Sequence, residues 1–103
     1  MVRFLVLYDT PSDPDTFERH YREVHIPLTR ELPGLRRYIV SRKPTAVRGG
    51  ETFHLVAELE WDSLDDLRTA FASPQGRATA ADVAQLAPEG TVRSMIFEVE
   101  EIV

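Results

Sequence analysis

The sequence predicts a single α+β domain with the order β-α-β-β-α-β, on three observations. From Thr52 to Trp61 the chain alternates with period two: Phe53, Leu55, Ala57, Leu59 and Trp61 share one face, and His54, Val56, Glu58 and Glu60 the other. Helical spacing occurs twice, in Phe17, Tyr21, Val24 and Leu28 and again in Leu64, Leu67 and Phe71. At 103 residues the chain is too short to split into halves that each bury a core, so one domain spans 1–103.

Strand one is the run Phe4-Leu5-Val6-Leu7-Tyr8, ended by Asp9-Thr10-Pro11-Ser12. Asp13 or Asp15 then caps the first helix, with Glu18 as a capping-box partner of Asp15. Pro27 has no backbone N–H, so this helix kinks or restarts around Ile26 and closes at Pro33-Gly34. Leu35 to Lys43 reads as strand two, and Pro44 to Gly50 as a polar loop. After strand three, Asp62 or Ser63 caps a second helix that breaks at Ser73-Pro74 and resumes to Ala84 or Leu86. Pro88 and Gly90 end it, and Thr91 to Val103 is the last strand.

This order is the split βαβ of ferredoxin-like folds, with helices on one face of a four-stranded antiparallel sheet. Val56, Met95 or Ile96, and part of strand one then lie on a face with no helix left to cover it. A two-fold homodimer, open sheet face against open sheet face, would bury those side chains and give a dimeric α/β barrel.

Composition narrows the function. A hydrophobic fraction of 43% with 28% charged residues is that of an ordinary globular protein. No run approaches the ~20 apolar residues of a membrane span. The apolar stretch after Met1-Val2-Arg3 is shorter than the roughly 7–15 residues of a secretory core, so the expected location is cytoplasmic. A net charge of −5 argues against nucleic acid as a partner. The absence of cysteine excludes disulfides, thiolate metal sites and thiol nucleophiles. No phosphate loop or nucleophile elbow is present. On an ideal helix His20 and His25 stand about 140° apart and would not converge on one ion, so no metal site is expected.

Acid–base chemistry without a cofactor remains. His25 flanks the apolar stripe of the first helix by about 60° and His20 lies about 80° to the other side. His20 reads as a solvated helix residue, and His54 as a neighbour of the dimer interface or barrel lumen. His25 sits beside the Pro27 kink, where a cleft can open between helix and sheet. Its imidazole suits proton transfer near neutral pH. Two readings of it stay open: a core-edge histidine bonded to a freed carbonyl, or a catalytic acid–base. In the second, Tyr38 and Asp9 complete the catalytic set, and Phe17, Tyr21, Leu28 and Trp61 line the substrate pocket.

The series Phe17, Tyr21, His25, Pro27, Leu28, Pro33, Gly34, Leu35, that is F-x3-Y-x3-H-x-P-L-x4-PGL, resembles the signature of the EthD family. That resemblance implies a member of the dimeric α/β-barrel superfamily, alongside muconolactone isomerases and polyketide monooxygenases and cyclases. It implies a homodimer with a helix–sheet cleft in each subunit. It also implies a cofactor-independent isomerase, cyclase, decarboxylase or dehydratase for a small lactone, aromatic or polyketide-like carbonyl compound. In methylmuconolactone methylisomerase-like relatives, a histidine and a tyrosine matching His25 and Tyr38 lie in the cleft. A thiol used by some relatives has no counterpart here. The alternatives are a noncatalytic ligand-binding or accessory protein of a degradative or biosynthetic pathway, and a cofactor-free monooxygenase.

Overall fold

The structure, a computed structural model, describes residues 1–103. Its strands are β1 (Val2–Tyr8), β2 (Arg37–Val40), β3 (Leu55–Trp61) and β4 (Val92–Glu98). They form one antiparallel sheet in the order β2-β3-β1-β4, with Val2 opposite Trp61 and Glu98, and Val40 opposite Ala57. The helices are α1 (Pro14–His20), α2 (Ile26–Arg30), α3 (Leu64–Ala72) and α4 (Pro74–Leu86), with a single π-helical turn, Tyr21–His25, joining α1 to α2. This is the expected α+β, ferredoxin-like arrangement.

Period two decides which side chains meet the helices. Val2, Val6 and Tyr8 of β1 and Leu55, Ala57, Leu59 and Trp61 of β3 are buried and form the core with Phe17, Tyr21 and Leu67. Trp61 is fully buried, and its indole N–H donates to the Pro33 carbonyl at 2.9 Å. The opposite face carries Leu5, Leu7, Ile39, Val56, Met95 and Phe97, of which Ile39, Met95 and Phe97 are exposed. Ile96 alternates with Met95 and so belongs to the helix side, at the β4 edge.

Several boundaries differ from those read in the sequence. β3 begins at Leu55, and the irregular backbone before it reverses the alternation. Phe53 lies beneath the Arg93 guanidinium at 6.0 Å, while His54 turns toward α1. β4 stops at Glu98, one residue before Val99 donates its N–H to the Met1 carbonyl. Asp13, not Asp15, caps α1: its carboxylate accepts from the Thr16 N–H at 3.2 Å and the Thr16 hydroxyl at 2.7 Å. Glu18 is thereby free of a capping role. Ser63 caps α3, accepting from the Asp66 N–H at 3.1 Å, while Asp62 pairs with Arg36.

The break in the second helical segment is sharp. The Ser73 hydroxyl donates to the Ala70 carbonyl, ending α3, and accepts from the Gly76 N–H at 3.0 Å, starting α4. Pro74 occupies the first turn of α4, where a missing N–H is harmless. Gly76 is needed for the tightness of this corner. A β-carbon there would lie against the Ala70 carbonyl oxygen and 2.5 Å from the Phe71 Cα.

Candidate active site

The first helical segment explains the site. Pro27 cannot donate to the Glu23 carbonyl, and its ring would press on that group in a regular helix. The chain widens one turn ahead of it, and the Ile26 N–H reaches back five residues to the Tyr21 carbonyl. The buried stripe consequently advances by four residues each time, through Phe17, Tyr21, His25 and Thr29. Val24, expected in the stripe, is exposed, and Leu28 is only half-buried. His25 is thus carried from the flank of the stripe into it, 5% exposed.

His25 lines a cavity of about 270 Å³ between the helices and the sheet. Phe4, Val6, Ala57, Leu59, Phe71 and Val83 make its apolar wall, and Tyr8, Tyr21, Thr29, Tyr38, Thr79 and Ser94 add polar groups. The Tyr21 and Tyr38 hydroxyls are hydrogen-bonded to each other at 2.5 Å. The His25 and Tyr21 rings lie 5.2 Å apart. Thr29 donates its hydroxyl to the His25 carbonyl at 2.8 Å, fixing the backbone at the end of the π turn.

Asp82 of α4 is the carboxylate of the site. Its Oδ2 lies 2.9 Å from His25 Nδ1, and its Oδ1 lies 2.8 Å from His20 Nε2. An ionised carboxylate only accepts, so both imidazoles donate to it. With His25 neutral, this network assigns its proton to Nδ1 and leaves the Nε2 lone pair without a protein partner. Burial pushes the affinity of His25 for a second proton below that of an ordinary imidazole, and Asp82 partly opposes the shift. Burial pushes the Tyr8, Tyr21 and Tyr38 phenols upward, so all three stay protonated at neutral pH.

Of the residues singled out in the sequence, His25, Tyr21 and Tyr38 therefore share one cavity. Asp9 does not join them. It lies at the end of β1, donates its N–H to the Thr91 carbonyl at 2.9 Å, and lines a separate cavity of about 340 Å³ with Asp13, Phe17, His20 and Leu86. Phe17 stacks behind Tyr21 at 5.8 Å, Leu28 lies off the cavity wall, and Trp61 braces the core behind Phe71. His20 is not a solvated bystander: the i→i+5 turn brings residues five apart onto one face, and both His20 and His25 reach Asp82. His54 is not at the open sheet face; its Nε2 lies 2.9 Å from Glu18 Oε1, with Phe17 beside its ring.

Sequence reasoning missed Asp82. The available signal was its place in Thr79, Asp82, Val83 and Leu86, an i, i+3, i+4, i+7 stripe in which a carboxylate occupies a position normally apolar. No group of three or more His, Asp or Glu residues is arranged to hold a metal ion, and no helix is long and apolar enough to cross a membrane. His20 and His25 are instead each turned to a different oxygen of one carboxylate.

The fold and this cavity define a ferredoxin-like α+β protein with a buried imidazole–carboxylate pair between helices and sheet. The EthD domain model matches residues 9–89, and the chain belongs to the EthD family. It is 34% identical, over 100% of its length and 98% of the relative's, to an uncharacterized 11.0 kDa protein of the thcB-thcC intergenic region of Rhodococcus erythropolis. The crystal structure of an ethyl tert-butyl ether D (EthD) family protein from Bacillus halodurans C-125 matches with a TM-score of 0.89 and 34% identity, covering 97% of this chain and 99% of that one. SnoaB, a cofactor-independent oxygenase from Streptomyces nogalater, shares the fold at a TM-score of 0.70 and 22% identity, covering 99% and 95%.

Proposed function

We propose that this EthD protein is a cofactor-independent enzyme that moves a proton on a small, largely apolar carbonyl compound bound beside His25. The observation that supports it is a neutral imidazole held at Nδ1 by a buried carboxylate, with Nε2 left unpartnered beside an apolar cavity. Nε2 would take a proton from a carbon next to the substrate carbonyl, and the electron pair would move onto the carbonyl oxygen. Asp82 would stabilise the imidazolium that forms without itself being protonated. Tyr38, accepting from Tyr21, keeps its own O–H to donate to the enolate oxygen. Return of the proton to another carbon gives isomerisation; loss of a leaving group or attack on a second carbonyl gives the lyase and cyclase outcomes. The cavity volume, a little below the ~300–1,000 Å³ of drug-sized sites, suits a molecule of one or two rings.

The test is deuterium exchange at the acidic carbon of cyclic 1,3-dicarbonyl compounds and γ-lactones, followed by NMR in D₂O. Wild-type protein should accelerate exchange on at least one such compound, and His25→Gln should abolish that acceleration at a melting temperature unchanged at pH 7.5. Saturable binding without acceleration on any of them would instead favour a noncatalytic ligand-binding role.

We also propose a homodimer formed through the open sheet face. Leu5, Leu7, Ile39, Val56, Met95 and Phe97 are the apolar side chains of that face; Glu58, between Leu5 and Ile39, is paired with Arg3 at 3.6 Å, and Arg3 also bonds Glu60 at 3.0 Å. A two-fold axis would set this face on its copy, burying the apolar side chains with Glu58 already paired to Arg3. Sedimentation at micromolar concentration should give twice the 11.7 kDa chain mass. Met95→Asp should shift it to the single chain.

A further inference from the structure

Asp82 receives two donors, and only one of them belongs to the cavity. His20, at the end of α1, is 30% exposed in its side chain and lines the outer cavity, on the other side of Asp82 from His25. Asp82 and His25 are both buried. A carboxylate turning about its χ2 torsion can exchange its oxygens or swing off one partner. A second donor on Oδ1 removes that freedom, because any rotation that frees Oδ2 from His25 also breaks the bond to His20. The two histidines reach one carboxylate because the π turn between them brings residues five apart onto one face.

Resting on the proton-transfer reading of His25, we propose that His20 is a positioning residue. It pins Oδ1 of Asp82 so that Oδ2 stays on Nδ1 of His25, which keeps the His25 lone pair on Nε2, facing the cavity. The groups around this chain of contacts are few. Asp82 faces both rings from α4. Asp9 and Asp13 share the outer cavity with His20, the Tyr8 phenol lies on the cavity side close enough to interact with the Asp82 charge, and Tyr21 packs against the His25 ring. Of these, only His20, through its Nε2–H, is hydrogen-bonded to Oδ1. Without His20, the Asp82 side chain can turn toward the outer cavity, and His25 loses the partner that selects its tautomer.

The test is the ¹⁵N imidazole spectrum of the full-length protein, which reports directly which ring nitrogen of His25 carries the proton. Wild type should show the Nδ1–H form above the His25 midpoint. His20→Phe should lose that preference and give a mixture of both tautomers. His20→Gln, whose amide can donate to Oδ1, should restore it. His20→Ala serves in place of His20→Phe if the larger ring disturbs folding. A His25 tautomer identical in wild type, His20→Phe and His20→Ala overturns the proposal and leaves His20 as a mere satisfier of a buried charge. The spectrum is independent of turnover, so a tautomer change in a protein that exchanges no substrate proton would uphold the positioning role while removing the enzymatic reading. If exchange is found, His20→Phe should lower kcat more than it raises KM.

Discussion

His25–Asp82 and His54–Glu18 are the same two chemical groups at the same separation, 2.9 Å, on opposite sides of Phe17 and Tyr21. They differ in what surrounds them. The side chains of His25 and Asp82 are 7% and 9% exposed, whereas those of His54 and Glu18 are 20% and 43% exposed. In the first pair the desolvated imidazole is held neutral, its orientation is dictated by the carboxylate, and a cavity waits at its other nitrogen. In the second, water competes for both partners and the pair is a surface tie between α1 and the start of β3. Distance alone would rank them equal. Burial and the neighbouring space make only one of them a candidate for chemistry.

The contrast is broken most directly by removing each imidazole. If the buried pair carries proton transfer, His25→Gln should lower turnover about 10²–10⁴-fold, the usual contribution of a general base, while His54→Gln leaves it within about twofold. Equal losses in the two variants, measured by the deuterium exchange rate, would sink the distinction.

A second way to separate the pairs is to move α4. Asp82 rides on that helix, whose start is seated against α3 by Gly76, and His54–Glu18 does not touch it. Gly76→Ala places a methyl group against backbone atoms of Ala70 and Phe71 that cannot yield as a side chain would. Urea unfolding should show a loss of about 3 kcal/mol. In the protein that remains folded, the His25 imidazole resonances should move and those of His54 should not.

The parts of this contrast that the sequence disclosed follow from how far each depends on local pattern. The order of strands and helices was legible because period two in Leu55, Ala57, Leu59 and Trp61 and the caps and prolines are written locally. His25 was legible for the same reason, as the imidazole two residues before the Pro27 break. Asp82 was not, because its partner lies 57 residues away in sequence and only the packing of α4 on the π turn brings them together. The π turn itself misled: regular 3.6-residue geometry sends His20 and His25 apart and puts Val24 in the core. Asp9 looked like the nearer carboxylate, being at the end of a strand beside the first helix, yet the sheet leaves it facing the outer cavity. His54 was assigned to the wrong side because alternation was carried back beyond Leu55, where the backbone bends although the His54 N–H still donates to the Tyr8 carbonyl at 2.8 Å.

Removing the carboxylates gives a smaller contrast, in stability. Asp82→Ala leaves the Nδ1–H of His25 buried without an acceptor and should lower unfolding free energy by about 1–2 kcal/mol. Glu18→Ala exposes His54 to water, which replaces the lost partner, and should change stability by less than about 0.5 kcal/mol. Chemical denaturation of both variants at pH 7.5 checks the difference; a Glu18 effect as large as that of Asp82 would show that the exposure difference does not govern the two pairs.

The smallest expected effect is on pH dependence, and it isolates the buried pair alone. His25 binds its second proton less readily in the folded chain than an ordinary histidine with its value of 6.5. Between 6.5 and the lower folded midpoint, the unfolded chain therefore holds more protons than the folded one, so stability falls as pH falls through that window. The contribution is fully present above 6.5, where both states are neutral at this residue. His25→Gln should flatten this acid slope in melting temperature between pH 7.5 and 5, whereas His54→Gln should keep it. Turnover should share the same limb, because only the neutral imidazole can accept the substrate proton. A wild-type slope that survives His25→Gln unchanged would assign the linkage to another group and reduce the buried pair to a packing contact.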